Sequence, residues 1–326
     1  MNDAAAASHP LARLSLAGLL LLFGTMTAAA FDLQAHRGGR GLAPENTMGA
    51  FRQAAALGVT TIETDLAITK DDVVVLSHEP RLNPDLVRGP DGNWIEGGGP
   101  TIRSLTLAEL KRYDIGRINP ASSYSRMFPK QIAIDGERFP VLTEVYAAIP
   151  APMRFNIEIK TDPTRPNETA DPGHFTRLVV DAVKNSKAVD RTMIQSFDWR
   201  TLIEAHKLAP EIPTSCLTIE TQNSDTIRRG DAVPSPWLGG LDLTAHGGSV
   251  PRLAKAAGCA VWSPFWRNVT AENVKEAQGL GLKVIPWTVN SPADMAALID
   301  LKVDGLITDY PDRAKPVIAA KGLKIR

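Results

Sequence analysis

Cysteine is scarce in this chain. Cys216 and Cys259 are the two in 326 residues, which excludes a small fold built on a disulfide framework. They fall on different predicted strands. The expectation is two buried free thiols, because a disulfide demands a narrow Cα separation. A surplus of either charge is also missing: 36 Lys+Arg stand against 36 Asp+Glu. A nucleic-acid partner needs a basic surface and is excluded on that ground. An anionic ligand must then be met by a few local cations. No internal repeat is visible, and one long apolar run occurs. That run, LSLAGLLLLFGTMTAAA at residues 14–30, follows Arg13 and ends in the small residues Ala28-Ala29-Ala30. It reads as a secretory signal cleaved after Ala30, leaving residues 31–326 as one domain. An uncleaved anchor is the rival reading, for which the run is short. A cleaved chain would be periplasmic or secreted, with no stable membrane anchor and an oxidising, calcium-accessible environment. At 44% hydrophobic the chain is too apolar for disorder as its main state.

Short β-rich runs alternate with helical ones. Strands are expected at residues 32–36, 60–66, 154–160, 192–197, 214–219, 259–263, 283–288 and 305–308. Helices are expected at 47–57, 175–184, 199–208, 271–278, 293–300 and 313–320, the first ended by Gly58. Alternation of this kind implies parallel pairing, and eight units imply an α/β fold, a (β/α)₈ TIM barrel. A doubly wound open sheet is the runner-up. VVVLSH at 73–78 reads as a hairpin partner of the second strand. A Gly/Pro-rich insertion then runs over about 79–139, with a capping-box pattern at Thr106 and Glu109 opening a short helix. An insertion this long is expected to cap the catalytic mouth as an irregular cover rather than a packed subdomain, and to reach a leaving group. Residues 221–248 resist assignment.

Polar residues gather where the expected strands end, which in a barrel is where active sites form. Glu63 and Asp65 lie two apart on the second strand and share a face, as do Glu158 and Lys160 on the third. Three carboxylates at one mouth need a cation, and oxygen ligands favour Ca²⁺ or Mg²⁺. His36 and His78 border the same mouth and suit acid–base work near neutral pH. Arg37 and Lys160 are the cations available to a phosphate. Trp287 stands near the end of the seventh strand. Trp262 and Trp266 either fill the core or wall a pocket. His9, His174 and His206 read as structural histidines, His246 as ambiguous, and Arg228-Arg229 as a solvated loop.

These segments carry a resemblance. HRGGRGLAPENTMGAF from His36, IETDLAITKDDVVVLSHE from Ile62 and NIEIK from Asn156 are similar to successive blocks of the glycerophosphodiester phosphodiesterase family. QSFDW, WTVN and DGLITDYP follow in the family's order. The resemblance implies a (β/α)₈ barrel with one divalent cation that hydrolyses glycerophosphodiesters, a small-molecule substrate, to glycerol 3-phosphate and an alcohol. It implies His36 and His78 as the acid–base pair and Glu63, Asp65 and Glu158 as metal ligands. Arg37 and Lys160 would contact phosphate, Asn46 would support the site, and Trp287 would contact substrate. Two departures concern substrate preference: Glu79 where the family usually has Asp, and Asn83-Pro84 where Arg-Thr is common. Two other readings stand beside this one. A phospholipase D-like barrel would act on lysophospholipids, and an inactive barrel would only bind phosphodiesters.

Overall fold

The structure is a computed structural model that describes Met1 and residues 31–325. The expected signal segment lies outside the described residues. Among the described residues nine strands form: β1 (Asp32–Ala35), β2 (Thr61–Ile68), β3 (Val74–Leu76), β4 (Arg154–Ile159), β5 (Thr192–Ser196), β6 (Thr214–Thr218), β7 (Val261–Pro264), β8 (Lys283–Val284) and β9 (Gly305–Thr308). Eight pair in parallel in the order β8-β7-β6-β5-β4-β2-β1-β9, and β3 pairs antiparallel with β2 as a hairpin. The first and last strands of that order meet through backbone hydrogen bonds. Asp304 N–H donates to Val284 O at 2.8 Å, and Ile307 N–H to Pro286 O at 3.0 Å. The sheet therefore closes into the expected barrel, and the open-sheet alternative falls away.

Helices α1 (Met48–Leu57), α2 (Leu107–Leu110), α3 (Ser123–Met127), α4 (Leu142–Ala148), α5 (Pro172–Asn185), α6 (Trp199–Leu208), α7 (Val250–Ala256), α8 (Ala271–Gly279), α9 (Pro292–Asp300) and α10 (Pro311–Ala320) complete the described elements. Among the described residues, no helix is long and apolar enough to cross a membrane. α1 shows why such runs become helix here. Thr47 caps it by accepting from Ala50 N–H, Ala50, Phe51 and Ala54 face the core, and Gly58 ends it at φ 70°.

Strand parity sorts the side chains. Leu33, Ala35, Ile62, Leu66, Phe155, Ile157 and Ile159 point outward into the core between barrel and helices. Alternate positions point inward. Low in the barrel, Met193, Val261, Ile285 and Ile307 form an apolar plug. Gln34, Asn156 and Gln195 are linked across the interior: Asn156 Nδ2 donates to Gln34 Oε1 at 2.9 Å and to Gln195 Oε1 at 2.7 Å.

Two expectations change, and the open reading of Trp262 is decided. Cys216 and Cys259 are joined in a disulfide rather than free. Parallel pairing of β6 with β7 brings the two segments together, so their Cα atoms lie 5.9 Å apart despite 43 residues of separation. Trp262 is fully packed in the outer core, with Nε1 donating to Thr218 Oγ1 at 3.0 Å. Its parity on β7 points it away from the barrel mouth, so it walls no pocket. Residues 79–139 are irregular but packed. Leu82, Val87, Ile102, Leu110, Ile115 and Phe139 make a second apolar cluster with Ala67, Val75 and Val141. The unassigned stretch 221–248 carries short 3₁₀ turns at Pro236–Leu238 and Thr244–His246, and the helix after β6 is delayed to α7.

Candidate active site

The loop after β1 must turn sharply at the barrel mouth. Arg37 and Asn46 adopt left-handed φ of 52° and 55°. Gly38 is at φ 82°, where a Cβ would lie 2.7 Å from Phe51. This turn sends the Arg37 N–H to Glu63 Oε2 at 2.8 Å and carries His36 over the mouth.

Glu63, Asp65 and Glu158 converge. β2 and β4 pair with Asp65 opposite Glu158, and one ligand atom from each of the three lies within 4.8 Å of the others. All three are buried. Desolvation and mutual repulsion push the Glu63 carboxyl well up and Glu158 up to about 7. Asp65 moves the other way despite its burial, because Arg37 and Lys160 face it. Lys160 Nζ donates to Glu158 Oε1 at 2.9 Å and stands 3.5 Å from Asp65 Oδ1. That Oδ1 is buried without a hydrogen bond. An orphaned carboxylate oxygen inside an all-oxygen donor set fits a hard divalent cation. Asn46 holds the other oxygen, Oδ2, at 3.0 Å, and its own Oδ1 accepts from Thr64 Oγ1 at 2.7 Å. Gln195, which sequence reasoning did not select, donates to Glu63 Oε1 at 2.7 Å.

Each histidine is anchored through Nδ1 by a carboxylate, which leaves Nε2 free. His36 Nδ1 is 2.6 Å from Asp309 Oδ1, with Nε2 at 4.0 Å from Glu63. His78 Nδ1 is 2.8 Å from Glu79 Oε1. Burial first, with Arg40 beside His36 and Arg37 beside His78, lowers both imidazoles to about 4. Glu79 thus provides the carboxylate that the family's usual Asp would carry. Asp309 was also missed. It directly follows β9 on the inward parity of Ile307, and it accepts from Arg40 Nε at 2.8 Å and Asn290 Nδ2 at 2.7 Å. Its carboxyl is held far down by His36 and these donors.

Trp287 stacks edge-on to Phe197 at 5.3 Å and gives its Nε1–H to Ser263 O at 3.0 Å. A cavity of about 180 Å³ opens beside His78, Glu158 and Lys160, walled by Ala170, Phe197 and Trp237. No residue from 89 to 100 lines it. The Gly-rich part of the insertion is therefore not its wall, while Glu79, Pro80, Ile102 and Arg103 of the same insertion are.

The model of the glycerophosphoryl diester phosphodiesterase family matches residues 36–313, nearly the whole barrel. The chain belongs to that family. As a member it is a phosphoric diester hydrolase. A glycerophosphodiester phosphodiesterase of Caldanaerobacter subterraneus subsp. tengcongensis is 30% identical over 279 residues, covering 85% of this chain and 93% of that protein. One from Bacillus subtilis is 28% identical, covering 85% of this chain and 83% of that protein. Among solved structures, a putative glycerophosphoryl diester phosphodiesterase from Silicibacter pomeroyi superposes with a TM-score of 0.81 at 31% identity. It covers 91% of this chain and 96% of its own.

Proposed function

We propose that the protein cleaves glycerophosphodiesters to glycerol 3-phosphate and an alcohol. In this reading Glu63, Asp65 and Glu158 hold one Ca²⁺ or Mg²⁺, and His36 and His78 do the proton work. The observation that carries it is the convergence at one mouth of three buried carboxylates with two carboxylate-anchored histidines and two cations. A divalent cation bound there would offset carboxylate repulsion and stabilise charge on the phosphoryl oxygens. Arg37 and Lys160 would meet the remaining phosphate charge. With Nδ1–H given to a carboxylate, each histidine presents a lone pair at Nε2. One takes the proton of the nucleophile, which is water itself or a glycerol hydroxyl whose cyclic ester water then opens. An anionic phosphodiester arriving beside the other favours its protonated form, which then donates to the leaving oxygen.

The family's likeness extends to the mouse lysophospholipase D GDPD1, 25% identical over 305 residues, covering 86% of this chain and 83% of that protein. The cavity beside His78 argues for a compact substrate here. At about 180 Å³ it is below the roughly 300–1,000 Å³ that drug-sized ligands occupy. The Cys216–Cys259 disulfide supports the proposal that the protein works outside the cytosol, in the periplasm or secreted. Product analysis by phosphorus NMR tests the activity. Glycerophosphocholine should yield glycerol 3-phosphate and choline. Phosphocholine and glycerol as products would refute the reading.

A further inference from the structure

Tyr124 lies on α3, within the segment between β3 and α4, 79 residues from Glu45. Its phenol donates to Glu45 Oε2. The other oxygen of Glu45 accepts from Arg37 Nη1 at 2.7 Å, and Arg37 Nε stands 3.2 Å from Asp65 Oδ2. Arg40 Nη1 donates to the same phenol at 3.1 Å, while its Nε holds Asp309, the carboxylate on His36. One hydroxyl thus joins two chains of charge-assisted bonds. One ends on the proposed phosphate-contacting arginine, the other on the proposed acid–base histidine.

Packing fixes the hydroxyl in place. The Tyr124 ring meets Phe128 edge-on at 5.0 Å, and Phe128 carries the Arg40 guanidinium at 4.9 Å. Gln131 Nε2 donates to Arg40 O at 2.7 Å, and Tyr310 Oη to Met127 O at 3.4 Å. Burial and the Glu45 carboxylate raise the phenol's pKa, so it remains a donor at working pH. Glu45 sits on a loop without regular structure, and its buried carboxylate depends on this donor for its second oxygen.

We propose that Tyr124 is a positioning residue: through Glu45 it fixes the Arg37 guanidinium for the phosphate, coupling the inserted segment to the site. This rests on reading the site as a glycerophosphodiesterase. Tyr124→Phe keeps the ring and its packing and removes only the hydroxyl. On glycerophosphocholine it should lower kcat/KM about 10- to 100-fold, the scale of a lost hydrogen bond to a buried charge. It should weaken inhibition by glycerol 3-phosphate by a similar factor, with the melting temperature shifted by only a few degrees. Glu45→Gln should lose at least as much. The double variant should be no worse than Glu45→Gln, because the two act in series. Wild-type kcat/KM in Tyr124→Phe, losses that multiply in the double variant, or a lowered melting temperature with unchanged glycerol 3-phosphate inhibition would each overturn the proposal. If the wild-type protein cleaves no glycerophosphodiester, the functional reading fails. Calorimetric affinity for glycerol 3-phosphate in wild type and Tyr124→Phe then still decides the role of Tyr124.

Discussion

His36 and His78 each spend one nitrogen on a carboxylate and keep the other for chemistry. Removing either as His→Ala should lower kcat on the order of 10²-fold or more, as loss of a general acid or base does. Circular dichroism should show the fold intact, and near-native turnover in either variant would make that histidine structural. Asp309→Asn makes a finer test. It keeps the shape but removes the charge that Arg40 and His36 share, so kcat should fall while KM changes little. The carboxylate cluster predicts a proton count. Glu158 is pushed up to about 7 and Glu63 is raised too, so at pH 6 the metal-free site retains protons that a cation must displace. Titrating Mg²⁺ or Ca²⁺ into metal-free protein at pH 6 should release at least one proton per ion, the share from Glu158 falling as pH rises past 7. Uptake without proton release would contradict the pairing of those two carboxylates. Glu63, Asp65, Glu158, His36 and His78 were legible in the sequence because each sits at a strand end or in a run of the family's type. Asp309 and Gln195 were not singled out, although strand parity pointed them inward. A lone Asp or Gln on a strand carries no signal until the barrel closes around it.

At the level of elements, the cavity beside His78 is walled by the segment after β3 together with the loops after β4, β5 and β6. The sequence marked the insertion by its glycines and prolines, which report turns but not packing. Leu82, Ile102 and Leu110 are spaced too irregularly to announce the apolar cluster they build. The insertion was expected to reach the leaving group; it borders the cavity through Glu79, Pro80, Ile102 and Arg103 rather than through its Gly-rich stretch, and Ala170, Phe197 and Trp237 complete the wall. Shortening residues 89–100 should therefore leave the ratio of kcat/KM for glycerophosphocholine and glycerophosphoethanolamine unchanged. Trp237→Ala should alter that ratio several-fold, the scale of a lost aromatic contact. Parallel kinetics on the two substrates decide between the loops. A ratio that moves on trimming and stays fixed in Trp237→Ala would assign head-group choice to the Gly-rich stretch. Most barrel strands were legible because they alternate with periodic helices. β8 shrank to Lys283–Val284, and residues 221–248, which resisted assignment, carry short 3₁₀ turns.

For the whole molecule, the Cys216–Cys259 bridge ties β6 to the start of β7 across 43 residues. Two isolated cysteines gave no hint of pairing, since their approach depends on strand order. Closing a loop of that length is worth up to about 4 kcal/mol in the chain-entropy model. Urea unfolding with and without reductant should show a loss of about 2–4 kcal/mol, with activity retained while the barrel stays folded. An unchanged midpoint would mean the bridge contributes nothing to stability. The central claim concerns the mouth that this barrel holds together: a hard cation at Glu63, Asp65 and Glu158 enables cleavage of a glycerophosphodiester. The most direct measurement is glycerol 3-phosphate release from glycerophosphocholine by purified protein, before and after EDTA, with Ca²⁺ or Mg²⁺ restored. The account predicts release abolished by the chelator, recovered with one of these ions, and not recovered in the Glu63→Gln/Glu158→Gln variant. Full turnover in EDTA, with elemental analysis finding no bound metal, would contradict it.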